Sequence, residues 1–184
     1  MTDQAEDRTT TRSHNPHSPA FMDFISKNWA EKDVVETSEA EVARFTQSRR
    51  TAVAERFAGK LVVIKAGGLV TRSNDTDYRY RAHSAFAHLT GWAAASVPDS
   101  VLVIDARGGA HHSTLFFRPT AGRETEEFFS NPAIGEFWVG ERPGLQEVSK
   151  LLNIETKDLK EFDELISNLP DDLVVDLQNQ EVEE

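Results

Sequence analysis

Three short apolar runs constrain the fold most. Leu61-Val-Val-Ile-Lys-Ala66 lies between Gly59 and Gly67-Gly68, while Val101-Leu-Val-Ile104 and Ser113-Thr-Leu-Phe-Phe117 flank Gly108-Gly109. Runs of this length, rich in β-branched and aromatic side chains and bounded by turn residues, predict buried strands. The glycine pair between the second and third predicts an antiparallel hairpin. Elsewhere the spacing is helical. Phe21, Phe24, Ile25, Asn28 and Trp29 predict a short amphipathic helix. Ser38, three residues before Glu41, has the spacing of a capping box, and the helix after it would carry Val42, Phe45, Val53 and Phe57 and stop at Gly59. Leu145 to Leu152 and Leu159 to Leu169 predict two more helices, the second ended by Pro170, and Leu173 to Leu177 predicts a last strand. Strands alternate with helices around one hairpin, without an internal repeat. The expected class is α/β, a mixed sheet flanked by helices.

Charge divides the 184 residues unevenly. Glu155 to Glu184 holds 11 acidic and 2 basic residues, net -9, which leaves 20 acidic and 18 basic, net -2, for the first 154 residues of a chain whose total is -11. No basic stripe of the kind a phosphate backbone requires is present, so nucleic acid is not an expected partner. No stretch approaches the roughly 20 apolar residues that span a bilayer, and no apolar h-region follows the N-terminus. The expectation is a cytoplasmic protein without membrane partners. The lack of cysteine excludes disulfides, thiolate metal sites and cysteine nucleophiles. Residues 1–19 have Ala5 as their one apolar side chain after Met1 and are expected to be disordered.

Few residues have the pattern of a catalytic group. His14 and His17 lie in the polar leader, His111 and His112 are adjacent in a strand and point to opposite faces, and His83 and His88 are five apart. None of these spacings makes a metal site. Asp75 and Asp77 are close enough to bind a divalent cation or to divide acid and base roles, but Ser73-Asn74-Asp75-Thr76 is equally a loop bonding its own backbone, and the loop is preferred. There is no G-x-S-x-G elbow, P-loop or dinucleotide fingerprint. Two segments are dense in specific side chains. Thr71 to Trp92 contains Arg72, Arg79, Arg81, Tyr78 and Tyr80 with Asp75 and Asp77, which reads either as a site-like surface or as an Arg–Asp network pinning a loop. Phe137-Trp-Val-Gly-Glu-Arg-Pro-Gly144 pairs an aromatic residue with an arginine, either as an interface anchor or as a core-edge Trp138 beside a solvated Arg142.

These two segments, in this order, together with Leu61–Ile64 before them and the strands Val101–Asp105 and Thr114–Phe117 between them, resemble the N-terminal domain of aminopeptidase P. This family comprises the Xaa-Pro aminopeptidases of the creatinase and prolidase group. The resemblance runs from about Arg44 to Leu177. It implies a ribonuclease-H-like sheet in a module, residues 41–178, that forms subunit contacts and the outer wall of an active-site cleft. It further implies a homo-oligomer and a peptide substrate with proline in second place. In the family a following "pita-bread" domain binds two Mn ions through two Asp, one His and two Glu. None of those ligands falls in this chain, so the chain has no expected cofactor or catalytic residue, should be inactive alone, and has its own catalytic domain as its first expected partner.

Residue by residue, Trp138, Arg142 and Gly144 match the family's Trp-x-Gly-x-Arg-x-Gly run, which implies a substrate-rim role for Trp138 and Arg142. Arg72, Asp75, Tyr80, Arg81, Ser84, Phe86 and Gly91 match the other run; for Arg72, Asp75, Tyr80 and Arg81 the implied role is loop folding and subunit contact. His83 and His88 depart from the family pattern, as does Ala93 to Ser100. Residues 20–40 exceed the family minimum, and residues 179–184, at the end of the acidic segment, would start a linker to the second domain. A free-standing binding or assembly module without peptidase activity is the competing expectation.

Overall fold

The computed structural model describes residues 18–31, 36–74 and 76–177 and divides into two compact units, one spanning residues 1–35 and 119–144 and the other 36–118 and 145–184. The expectations for residues 1–17 and 178–184 and for Asp75 lie outside the described residues.

The larger unit is built on a five-stranded mixed sheet. β1 (Leu61–Lys65), β4 (Val101–Asp105) and β5 (His112–Phe117) form an antiparallel core, with β6 (Glu155–Asp158) parallel to β5 at one edge and β7 (Val174–Asp176) parallel to β1 at the other. A separate small hairpin pairs β2 (Thr71–Ser73) with β3 (Thr76–Asp77). Side chains alternate across a strand, so each central strand supplies both faces. Val62, Ile64, Leu102, Ile104, Leu115 and Phe117 join one cluster with Phe86 and Leu89 of α3 (Ser84–Thr90), Val148 and Leu152 of α6 (Leu145–Leu152), and Ala54 of α2 (Ala43–Arg56). Leu61, Val63, Val101, Val103 and Phe116 face the other way, against Phe162, Leu165 and Ile166 of α7 (Lys160–Ser167). Covering both faces explains why the strands read as continuous apolar runs rather than alternating ones.

The acidic segment from Glu155 is therefore structural through Asp176. It supplies both edge strands and a helix whose Glu161, Asp163 and Glu164 face solvent while its apolar side closes the sheet. Lys60 Nζ donates to the Asp172 carbonyl at 2.6 Å and Lys65 pairs with Asp176 at 2.7 Å, tying the last strand to the first.

Two helix expectations are corrected. The Ser38–Glu41 capping box does not form; Val42 occupies the N-cap of α2 without a side-chain bond, because Glu41 turns to Arg44, accepting from it through both carbonyl and carboxylate. The fully buried residues of α2 are Ala43, Thr46, Arg50 and Ala54; of the expected apolar set, Val53 and Phe57 pack partly buried against the core, while Phe45 is 50% exposed. The Arg50 guanidinium, desolvated so that its pKa is lowered, donates to the Leu89 carbonyl at 3.0 Å and to Thr46 Oγ1 at 2.9 Å, serving the open C-terminal end of α3. Gly91 ends α3 at φ 75°, and a Cβ there would stand 2.8 Å from Val42 Cγ1.

At the β6 edge, His112 is hydrogen-bonded to Glu155, which also accepts from Thr114 at 3.2 Å and lies 3.6 Å from Lys157. The His112 bond, helped by Lys157 and Thr114 against a smaller opposing effect of burial, holds the Glu155 carboxyl below the usual carboxylate range. A carboxyl lowered on folding stabilises fully above its unfolded pKa, about 4.3, and loses that contribution as pH falls through the folded value. Thermal melts of the native chain and Glu155→Gln should accordingly differ at pH 6 to 7 and converge below about pH 4. A gap that persists unchanged to pH 3 would assign the effect to shape rather than charge.

Candidate functional site

The smaller unit carries the aromatic residues singled out in the sequence. α1 (Pro19–Ile25) starts on an N-cap, Ser18, whose Oγ accepts from the Phe21 amide at 3.2 Å, and has proline at its first position. It is shorter than its spacing predicts, ending before Asn28, which takes φ 62°. α4 (Glu127–Ser130) and α5 (Glu136–Val139) are single turns held together by backbone bonds: Gly135 N donates to Asn131 O at 2.7 Å, and Ala121 and Gly135 form an isolated bridge. Gly135 is required there by close approach. A Cβ on it would meet the carbonyl oxygens of Phe128, Glu127 and Asn131 at 2.3, 2.6 and 2.7 Å.

Trp138 sits on α5 with half its surface in solvent. Its indole N–H donates to the Phe129 carbonyl at 2.6 Å, and its ring lies against Phe129 at 5.4 Å and Phe137 at 5.1 Å. One edge of the ring is fixed to the unit, and one face is open, an arrangement suited to an apolar contact at small conformational cost. Arg142 is partly buried, which depresses its pKa by desolvation, and it makes no hydrogen bond or ion pair among the described residues. Its charge is available to an incoming anion.

In the larger unit no Arg–Asp ion pair links Arg72, Arg79 or Arg81 to Asp77 among the described residues. Arg72, Arg79 and Arg81 are exposed and have no ion pair among the described residues. The loop is held by its backbone instead: Tyr78 N donates to Val70 O at 2.9 Å and His83 N to Ala66 O at 2.8 Å. Tyr80 anchors it from within. Its hydroxyl donates to the Val97 carbonyl at 3.4 Å, and its pKa is raised by burial and by the nearby Asp99, with Ser96 opposing. Tyr80 and Arg81 line an open cavity of about 530 Å³ with Arg79, Ser84, Ala87 and Ala94; Arg72 does not. His83 caps α3, its Nδ1 accepting from the Ala85 amide at 3.3 Å, a local role sequence reasoning did not assign.

No group of three or more His, Asp or Glu able to hold a metal ion occurs among the described residues. No helix among them is long and apolar enough to cross a membrane.

Comparison with known proteins gives these features a context. The family model described as aminopeptidase P, N-terminal domain, matches residues 46–174. Xaa-Pro aminopeptidase 1 of Streptomyces coelicolor is 37% identical over 148 residues, which cover 78% of this chain and 29% of the relative. The Xaa-Pro aminopeptidase of Escherichia coli is 30% identical over 119 residues, covering 64% and 24%. Among solved structures, E. coli aminopeptidase P with the inhibitor Pro-Leu superposes with a TM-score of 0.59 at 28% identity, over 79% of this chain and 31% of that one. The chain thus spans less than a third of the length of the relatives it matches. On its matched segment and its fold, this chain belongs to the aminopeptidase P N-terminal domain family.

Proposed function

We propose that this chain is the non-catalytic N-terminal module of a Xaa-Pro aminopeptidase, a hydrolase that releases the residue preceding proline, and that it serves subunit assembly and walls the active-site cleft. The observation that carries the reading is Trp138: a half-exposed ring, held by the Phe129 carbonyl, in a module without a metal-ligand cluster among its described residues. Two Mn ions and the hydrolytic step belong to a catalytic portion, the first partner of this module. What this chain's own residues contribute is binding. The open face of Trp138 packs on a proline ring or the side chain after it, Arg142 offers an unpaired charge beside it, and the exposed Arg72 and Arg81 with the anchored Tyr80 supply contacts for a second subunit in a cytoplasmic homo-oligomer. Asp75 joins them as an expectation from the family motif.

The test is a chimera in which this chain replaces the segment it matches in the S. coelicolor relative. An aromatic contact of this kind is worth roughly 0.5–1.5 kcal/mol, so Trp138→Ala should raise KM for peptides longer than the dipeptide about 3- to 10-fold with kcat little changed. Unchanged KM with a large loss of stability would assign Trp138 to the edge of the core.

A further inference from the structure

Residues 18–31 lie outside residues 46–174, the segment that the family model matches, yet they back the aromatic cluster of the smaller unit. Phe21, on α1, meets the ring of Phe129 edge-on at 5.2 Å. Phe129 is the residue whose carbonyl holds the Trp138 N–H and whose ring lies 5.4 Å from the indole. Trp29, just past α1, meets Phe137 at 6.1 Å and Phe128 at 5.6 Å, and Phe137 in turn meets Trp138 at 5.1 Å. Each of the two rings that flank Trp138 is therefore backed by one aromatic residue of the extension.

The extension is itself fastened at its far end. Arg123 donates to the Ala30 carbonyl at 3.0 Å, and the Trp29 N–H is occupied by the Ile25 carbonyl at 2.6 Å, which leaves only ring surface for contact outward. Trp29, Phe137 and Trp138 are 46%, 40% and 50% exposed, so each of the three linked rings keeps apolar surface in solvent. An exposed aromatic face whose polar edges are already satisfied internally is suited to apolar ligand surface rather than to a hydrogen-bonding partner.

We propose that residues 18–31 are an aromatic brace that positions Trp138 through Phe129 and Phe137 and lengthens its apolar face by the ring of Trp29. Phe21 is a positioning residue in this account, acting through Phe129 without touching a ligand. The consequence for recognition rests on the reading of Trp138 as a rim residue; the positioning does not. With that reading, the brace favours peptides that carry apolar side chains beyond the proline.

The positioning is measured on the 184-residue chain itself, labelled with 5-fluorotryptophan and observed by fluorine NMR, with Trp138 assigned through Trp138→Phe. Trp92, 3% exposed in the larger unit, serves as the internal reference. Phe21→Ala should shift and broaden the Trp138 resonance and raise its accessibility to a soluble quencher about 2-fold, leave Trp92 unmoved, and be rescued by Phe21→Tyr. An unmoved Trp138 resonance overturns the proposal. If Phe21→Ala also displaces the Ala121 and Gly135 amide signals, Phe21→Leu, which keeps the apolar volume without the ring, decides. A shifted Trp138 with unshifted bridge amides upholds the brace, and an unshifted Trp138 overturns it. A brace upheld here beside a chimera whose KM ignores Trp138 would separate sound positioning from a mistaken rim assignment.

Discussion

Gly135→Ala should disrupt the smaller unit more than any other single-methyl change within it. The added Cβ falls 2.3 Å from the Phe128 carbonyl oxygen and within 2.7 Å of two more carbonyls. All three belong to backbone, so no side chain can swing aside. Overpacking of this kind costs typically 1–3 kcal/mol, occasionally more. Three carbonyls in contact place this case at about 3 kcal/mol, which is roughly 100-fold in an opening equilibrium. The change strikes the α4–α5 turn that carries both Phe129 and Trp138, so the indole should lose its carbonyl partner as well. Amide hydrogen exchange across residues 119–144 is the measurement. The expected result is exchange up to about 100-fold faster there, with β1 and β4 unaffected; protection unchanged to within 3-fold would show that the turn absorbs the methyl.

The second large effect is on the sheet. Phe86 is fully buried and projects from α3 into the cluster with Leu102, Leu115 and Phe117. Truncation of such a ring removes its transfer free energy and leaves a cavity, so Phe86→Ala should cost about 3–5 kcal/mol. Urea denaturation monitored through Trp92, which meets Phe117 edge-on at 5.0 Å, reads that loss directly. A cost under about 1 kcal/mol would mean that α3 packs less firmly than its geometry indicates.

What could be read in the sequence follows from where burial is continuous. β1, β4 and β5 are covered on both faces and carry uninterrupted apolar runs, so their existence and their antiparallel hairpin were legible. α6 was legible to the residue, because its apolar face and its buried face coincide. β6 was not. Glu155-Thr-Lys-Asp158 pairs on one side only, and its charged side chains belong to a sheet edge, where apolar pattern is absent by necessity. β2 and β3 are exposed throughout and carry no hydrophobic signal at all. α2 was legible in part. Val53 and Phe57 pack on the core as their spacing predicts, but Phe45 is exposed and the buried Arg50 bonds the end of α3, a contact 39 residues away that apolar periodicity does not register.

The candidate site divides the same way. Trp138 and Arg142 were legible as an aromatic and arginine pair among glycines; in the structure Trp138 is half exposed and Arg142 partly buried. The Phe129 carbonyl that fixes Trp138 lies only nine residues before it, but the backing of Phe129 and Phe137 by Phe21 and Trp29 joins segments about a hundred residues apart. No local pattern signals such contacts. The 71–92 segment read either as a site-like surface or as an Arg–Asp network, and Arg72, Arg79 and Arg81 are exposed, with no ion pair among the described residues.

The central claim is that this module completes a Xaa-Pro aminopeptidase without performing its chemistry. The most direct measurement is hydrolysis of a proline-second tripeptide, with Mn present, by three proteins: this chain alone, the S. coelicolor relative lacking the segment that this chain matches, and the chimera joining the two. The account predicts activity in the chimera and at least 10-fold less in either part alone. Turnover by the 184-residue chain itself, or equal rates with and without the module, would contradict it.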